Sequence, residues 1–108
     1  MMQFTKNYLT LLKIIQSHCP LTEPQSCQYA YMYLQDCTTY TDFYIMYVDP
    51  QNDMVFALVD PLCTNNVLDY EFVNFDYFIH HEVYYKVYPI NNRPSLDCIK
   101  KRLSVFKK

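Results

Sequence analysis

The chain contains no glycine in 108 residues, where average usage near 7% would place about seven or eight. Phosphate-wrapping loops, dinucleotide fingerprints and the strand-to-helix elbow of serine hydrolases all need glycine, because the backbone there turns sharply or closes on a ligand. None of these motifs can be written here, which argues against nucleotide-dependent catalysis and α/β-hydrolase chemistry. Turns that require a positive φ then fall to Asn and Asp, and Asn52, Asn65, Asn66, Asn91 and Asn92 stand in suitable segments.

Tryptophan is absent too, and the cysteines at 19, 27, 37, 63 and 98 include no CxxC pair. An odd set of thiols without a secretory leader predicts reduced cysteines in the cytoplasm or nucleus. The apolar amino-terminal stretch is interrupted by Lys6 and Lys13 and offers no small-residue cleavage site. No segment reaches the roughly 18 uninterrupted apolar residues of a membrane span, so a soluble protein is expected.

What is present is apolar and ring-rich. Hydrophobic residues make up 51% of the chain, with 12 Tyr and 7 Phe; a single compact domain over 1–108 with its own core is expected. The phenolic hydroxyls need partners or a wet edge, so some rings must lie at the surface. Charge is divided: residues 1–94 hold 10 acids against Lys6, Lys13, Lys86 and Arg93, while residues 95–108 hold 5 bases against Asp97. The body is therefore near −6 and the tail near +4. A basic end of this kind suits a helix C-terminus, nucleic acid or an acidic protein surface. The bias toward Tyr, Asn, Asp, Phe, Ile and Lys resembles coding in an AT-rich genome, such as those of many large DNA viruses.

Apolar positions Phe4, Tyr8, Leu11, Leu12 and Ile15 recur at helical spacing and predict an amphipathic helix over 4–16. Thr22, Glu23, Pro24 and Gln25 form a capping-box pattern and predict a second helix with Cys27, Ala30, Tyr31 and Leu34 on one face. Residues 43–48 and 54–59 are rich in β-formers and flank Asp49-Pro50-Gln51-Asn52-Asp53, which predicts a β-hairpin covered on both faces. Between 67 and 90 the enrichment in Val, Tyr, Phe and Ile favours two strands broken at His80-His81-Glu82, although Leu68, Phe72, Phe75 and Ile79 would also align on a helix. Ser95 is a good N-cap for a last helix with Leu96, Ile99, Leu103 and Phe106 on its inner face. The expected fold is α+β: a small antiparallel sheet of three to four strands in β-meander order, packed by two N-terminal helices and one C-terminal amphipathic helix.

Few residues suggest chemistry. His80-His81-Glu82 has metal-ligating types but not HExxH spacing, and neighbours on a strand face opposite ways, so it reads as a strand-end pair. A zinc set from His18, Cys19, Cys27 and Cys37 matches no finger spacing. Asp69, Glu71 and Asp76 read as outward positions that keep an apolar stretch soluble. No catalytic, metal or cofactor residue is assigned, and no cofactor is expected. The partner-binding candidates are Tyr84, Lys86 and Tyr88 with Lys100, Lys101 and Arg102 on the last helix, a pairing of aromatic platforms with cations. The functional expectation is a small non-enzymatic interaction or assembly module, possessing a viral accessory character by composition, self-associating as a homodimer and binding a protein partner. A nucleic-acid-associated regulator using the basic helix is the alternative, and a small Cys/His-dependent enzyme stands third.

Overall fold

The computed structural model describes residues 2–26, 28–61 and 68–104. Asn7 decides where the first helix begins: its side chain accepts a hydrogen bond from the Thr10 amide at 3.1 Å, and its own amide donates to the Thr5 hydroxyl at 3.0 Å. This N-cap releases the preceding residues into a short strand, β1 (Gln3–Thr5), and starts α1 at Tyr8–His18. Phe4 is thus a strand residue rather than the first rung of a helix.

The second predicted helix does not form. After a run of bends and an isolated bridge between Tyr29 and Ser95, the chain enters β2 (Met32–Asp36). Met32, Leu34 and Asp36 are buried while Tyr33 and Gln35 are half-buried, a period of two. Both edges of β2 are paired, with β3 (Thr41–Asp49) and with β6 (Val83–Val87). Ladder hydrogen bonds on both sides outweigh the local capping-box preference, since helix propensity is a weak prior against tertiary context.

The hairpin joins β3 to β4 (Met54–Pro61). Asp49 organises its turn, accepting from the Gln51 amide at 3.2 Å and the Asn52 side-chain amide at 2.7 Å. A bulge between Ile45 and Tyr47 sends Met46 and Tyr47 into one core while Ile45 and Val48 enter the other. The next strand, β5 (Asp69–Asn74), pairs with β4 and then stops. Asn74 accepts from the Asp76 amide at 2.9 Å and converts the apolar run into a 3-10 turn, Phe75–Phe78, which buries Phe75 and Phe78.

That turn overturns the expected meander. Its first amide, Phe75, is tied to the Asp53 carbonyl at 2.8 Å, while Phe78 packs edge-on against Phe43 with ring centroids 5.3 Å apart. The chain is carried across the sheet face, so β6 enters between β1 and β2 instead of beside β5. Among the described residues the sheet is antiparallel with six strands in the order β1-β6-β2-β3-β4-β5, accompanied by two short helices, α1 and α2 (Leu96–Ser104). A sheet of three to four strands under two N-terminal helices is therefore incorrect.

Each face has a core. Leu11 and Ile15 of α1 pack on Met32, Leu34, Ile45 and Phe75. Leu96 and Ile99 of α2 pack on Tyr44, Met46 and Leu58. Covered on both sides, β3 is buried over eight consecutive residues. The second face is only partly covered, because Phe4 of β1 and Tyr84 of β6 remain 44% and 40% exposed.

Positive φ falls on Tyr40 (53°), Asp53 (53°) and His80 (66°). The expected Asn52, Asn91 and Asn92 do not adopt it, and Asn65 and Asn66 lie outside the described residues. The left-handed conformation costs a non-glycine residue about 1–2 kcal/mol, more than the extra entropy glycine loses on folding. Tyr40 is exposed and has little packing to lose. Tyr40→Gly is expected to raise stability by about 0.5 kcal/mol, or a few degrees in Tm, measurable by thermal unfolding. A lowered Tm would contradict this account of the turn.

Candidate binding cleft and buried carboxylates

Strand alternation builds the cleft. On β6, Val83 and Tyr85 point into the α1-side core, so Tyr84 and Lys86 take the opposite face. The register places Lys86 opposite Tyr33 of β2, and Tyr33 opposite Tyr44 of β3. The Tyr33 and Tyr44 rings contact at 5.2 Å between centroids, tilted 38° to one another, and form an aromatic floor. Lys86 stands at the β6 side with its ammonium 5.6 Å from the Tyr88 ring centre, and Arg102 of α2 lines the cleft from the other side, close enough to act electrostatically on Tyr44. Met2, Pro89, Asn92 and Pro94 complete a cleft of 560 Å³.

The phenols of this floor are held protonated. Burial is the main cause for Tyr44, whose pKa is pushed up to about 12, with the Asp42 carboxylate adding to the effect and Arg102 opposing it. Tyr88 is raised chiefly by burial as well, against the pull of Arg102. Tyr33 is raised by burial and by its hydrogen bond to Asp42, where its hydroxyl donates to Oδ1 at 2.8 Å. On the same face, two residues along β3 from Tyr44, Asp42 sits opposite Asp60 on β4, and both side chains are buried. Burial pushes the Asp42 carboxyl up to about 6, against the lowering effect of the Tyr33 hydrogen bond.

A second polar centre clasps two turns at the opposite end of β2. Asp36 is fully buried; its Oδ1 accepts from the Thr38 and Thr39 amides at 2.9 and 3.3 Å, and its Oδ2 lies 2.7 Å from His81 Nδ1. The Thr38 hydroxyl accepts from the Glu82 amide at 2.9 Å, and the Cys37 amide donates to the Glu82 carbonyl at 2.8 Å. Tyr77 closes the group, its hydroxyl 2.7 Å from the Thr39 hydroxyl and its ring edge-on to His81 at 4.9 Å. Every one of these contacts fixes a turn, and His81 is a fastening residue.

The six partner-binding candidates separate. Lys86, Tyr88 and Arg102 converge on the cleft, with Tyr84 on the same face beside it, its ring 4.8 Å from Phe4. Lys100 turns instead over Tyr70 at 4.4 Å, and Lys101 is exposed away from the cleft lining. His80, His81 and Glu82 diverge: His80 is exposed at positive φ, His81 turns in to Asp36, and Glu82 pairs with Lys6 at 3.1 Å.

Cys19, Cys37 and Cys98 are free thiols, with Cys19 buried and its pKa pushed up to about 12 by that burial; Cys27 and Cys63 lie outside the described residues. Among the described residues no three His, Cys, Asp or Glu side chains are grouped to hold a metal ion, and no helix is long and apolar enough to cross a membrane. A helix over 27–34 turns Tyr33 away from its cross-strand partner Tyr44 and its hydrogen-bond partner Asp42, so the sequence pattern does not bring these residues together as a site. The alternation Met32, Leu34, Asp36 against Tyr33, Gln35 is the signal that finds them.

Comparisons with family models, with curated proteins and with solved structures give no match for this chain.

Proposed function

We propose that this protein is a non-enzymatic interaction module that engages a protein partner through the half of the sheet face that α2 leaves bare. The observation that carries the reading is the exposed Phe4–Tyr84 pair beside the cleft, at 44% and 40% exposure with ring centroids 4.8 Å apart. Aromatic rings are enriched at the centres of protein interfaces, where they supply large contact area at small entropic cost. Free cysteines support a reducing setting, the cytoplasm or nucleus, and the compositional bias supports a viral accessory role. A second copy of the chain is one occupant this face suits, giving a symmetric dimer.

Photo-crosslinking tests the surface. p-Benzoylphenylalanine placed at position 84 is expected to give crosslinked products, either dimers in pure protein or adducts with a partner in cells. The same group at position 9, where Leu9 is exposed on the outer side of α1, is expected to give few. Equal yields at both positions, or none at either, would remove the assignment of this face.

A further inference from the structure

We propose that the cleft between β6 and α2 is the anchor site for an acidic peptide, gripping a carboxylate side chain that sits next to an aromatic residue of the partner. The inference rests on the interaction reading above and names the chemistry of its anchor. Charge carries it. Residues 1–94 supply only four bases against 10 acids. Lys6 pairs with Glu82, and Arg93 stacks on Tyr31 with its guanidinium carbon 4.1 Å from the ring centre. β6 delivers Lys86 to the cleft, and α2 delivers Arg102 to it. Neither forms an ion pair among the described residues, so two uncompensated cations flank one aromatic floor.

The shape is matched to a side-chain pair. A guanidinium fork and an ammonium offer a carboxylate both bidentate and point-charge donors. The half-buried Tyr33 ring, tilted 38° against the buried Tyr44 ring, gives the cleft an aromatic surface for a side chain to pack on, and 560 Å³ exceeds what one carboxylate fills. Tyr44 and Tyr88, held protonated, add hydroxyl donors. The Tyr33 hydroxyl is already committed to Asp42, which covers that carboxylate from the incoming anion. A nucleic-acid strand fits less well: beyond the cleft the body is near −6, and a chain of phosphates would meet that field at every step. A single carboxylate meets the two cations first, with the Asp42 charge set back behind the Tyr33 hydroxyl.

Fluorescence anisotropy with the full-length protein decides the matter, using a labelled Ser-rich peptide that carries one central Glu-Tyr pair, its Gln-Tyr counterpart, and a labelled single-stranded thymidine 12-mer. The acidic peptide is expected to bind roughly tenfold tighter than the neutral one, with each of Lys86→Glu and Arg102→Glu reducing its affinity roughly tenfold. Lys13→Glu, on the exposed side of α1, is expected to leave it unchanged. Circular dichroism confirms that the variants are folded before they are compared. Equal affinity for both peptides, indifference to the two reversals, or tighter binding of the 12-mer through the same residues would overturn the proposal. If the peptide arm fails while crosslinks at position 84 persist, the anionic anchor falls and the interaction surface stands. Loss of both removes both.

Discussion

Asp36→Ala is expected to destabilise the protein by about 3 kcal/mol or more, the largest loss of any polar substitution in the sheet. The carboxylate is fully buried, and three groups depend on it: the Thr38 and Thr39 amides and the His81 ring. Alanine leaves two buried-side amides without an acceptor and an imidazole without its counterpart, and each orphaned group costs about 1–3 kcal/mol. The loss spreads further, because the turn after β2 is held to the segment before β6 through Thr38, Cys37 and Glu82. Asp36→Asn keeps the oxygen that serves both amides and gives up only the charge toward His81, so a loss of about 1 kcal/mol is expected. Urea unfolding of the two variants checks the order. An alanine variant within about 0.5 kcal/mol of the parent would show that the clasp carries no stability.

How much of this was legible beforehand follows from the range of each signal. The β3–β4 pair is encoded in consecutive residues: two apolar runs, and Asp49 placed to cap the turn between them. The C-terminal helix is equally local, with Ser95 accepting from the Cys98 amide at 3.1 Å. β2 escapes a local reading because only one of its two neighbours, β3, follows it directly. The capping box is a signal of a few consecutive residues, whereas the strand is also held by β6, some fifty residues downstream. The position of β6 was hidden for the same reason. Nothing between 67 and 90 states that Phe75 and Phe78 will be buried under α1 and redirect the chain, since that burial exists only once the sheet is assembled. The cleft was half legible: Lys86, Tyr88 and Arg102 were found by residue type, while Tyr33 and Tyr44 join them only through cross-strand register.

The same register explains a stability penalty that can be removed. Asp42→Asn is expected to make the protein more stable at pH 7.5 by about 1–2 kcal/mol, a gain that few polar substitutions give. Burial pushes the Asp42 carboxyl up to about 6 from an ordinary 3.8, which corresponds to a penalty of about 2–3 kcal/mol on the charged form. With the folded value above the unfolded one, the favourable contribution is complete below pH 4 and disappears as pH rises through 6. Above neutrality the native state holds a buried charge. Asparagine keeps an oxygen to accept the Tyr33 hydroxyl now bonded at 2.8 Å, and it carries no charge beside Asp60. Part of the gain is offset because the new side-chain amide also needs a partner. Chemical unfolding from pH 4 to 8 should show the parent losing stability across that window and the variant losing less, with the two converging near pH 4. Parallel curves, or a variant weaker at pH 7.5, would mean that the carboxylate is stabilised by its surroundings rather than strained by them.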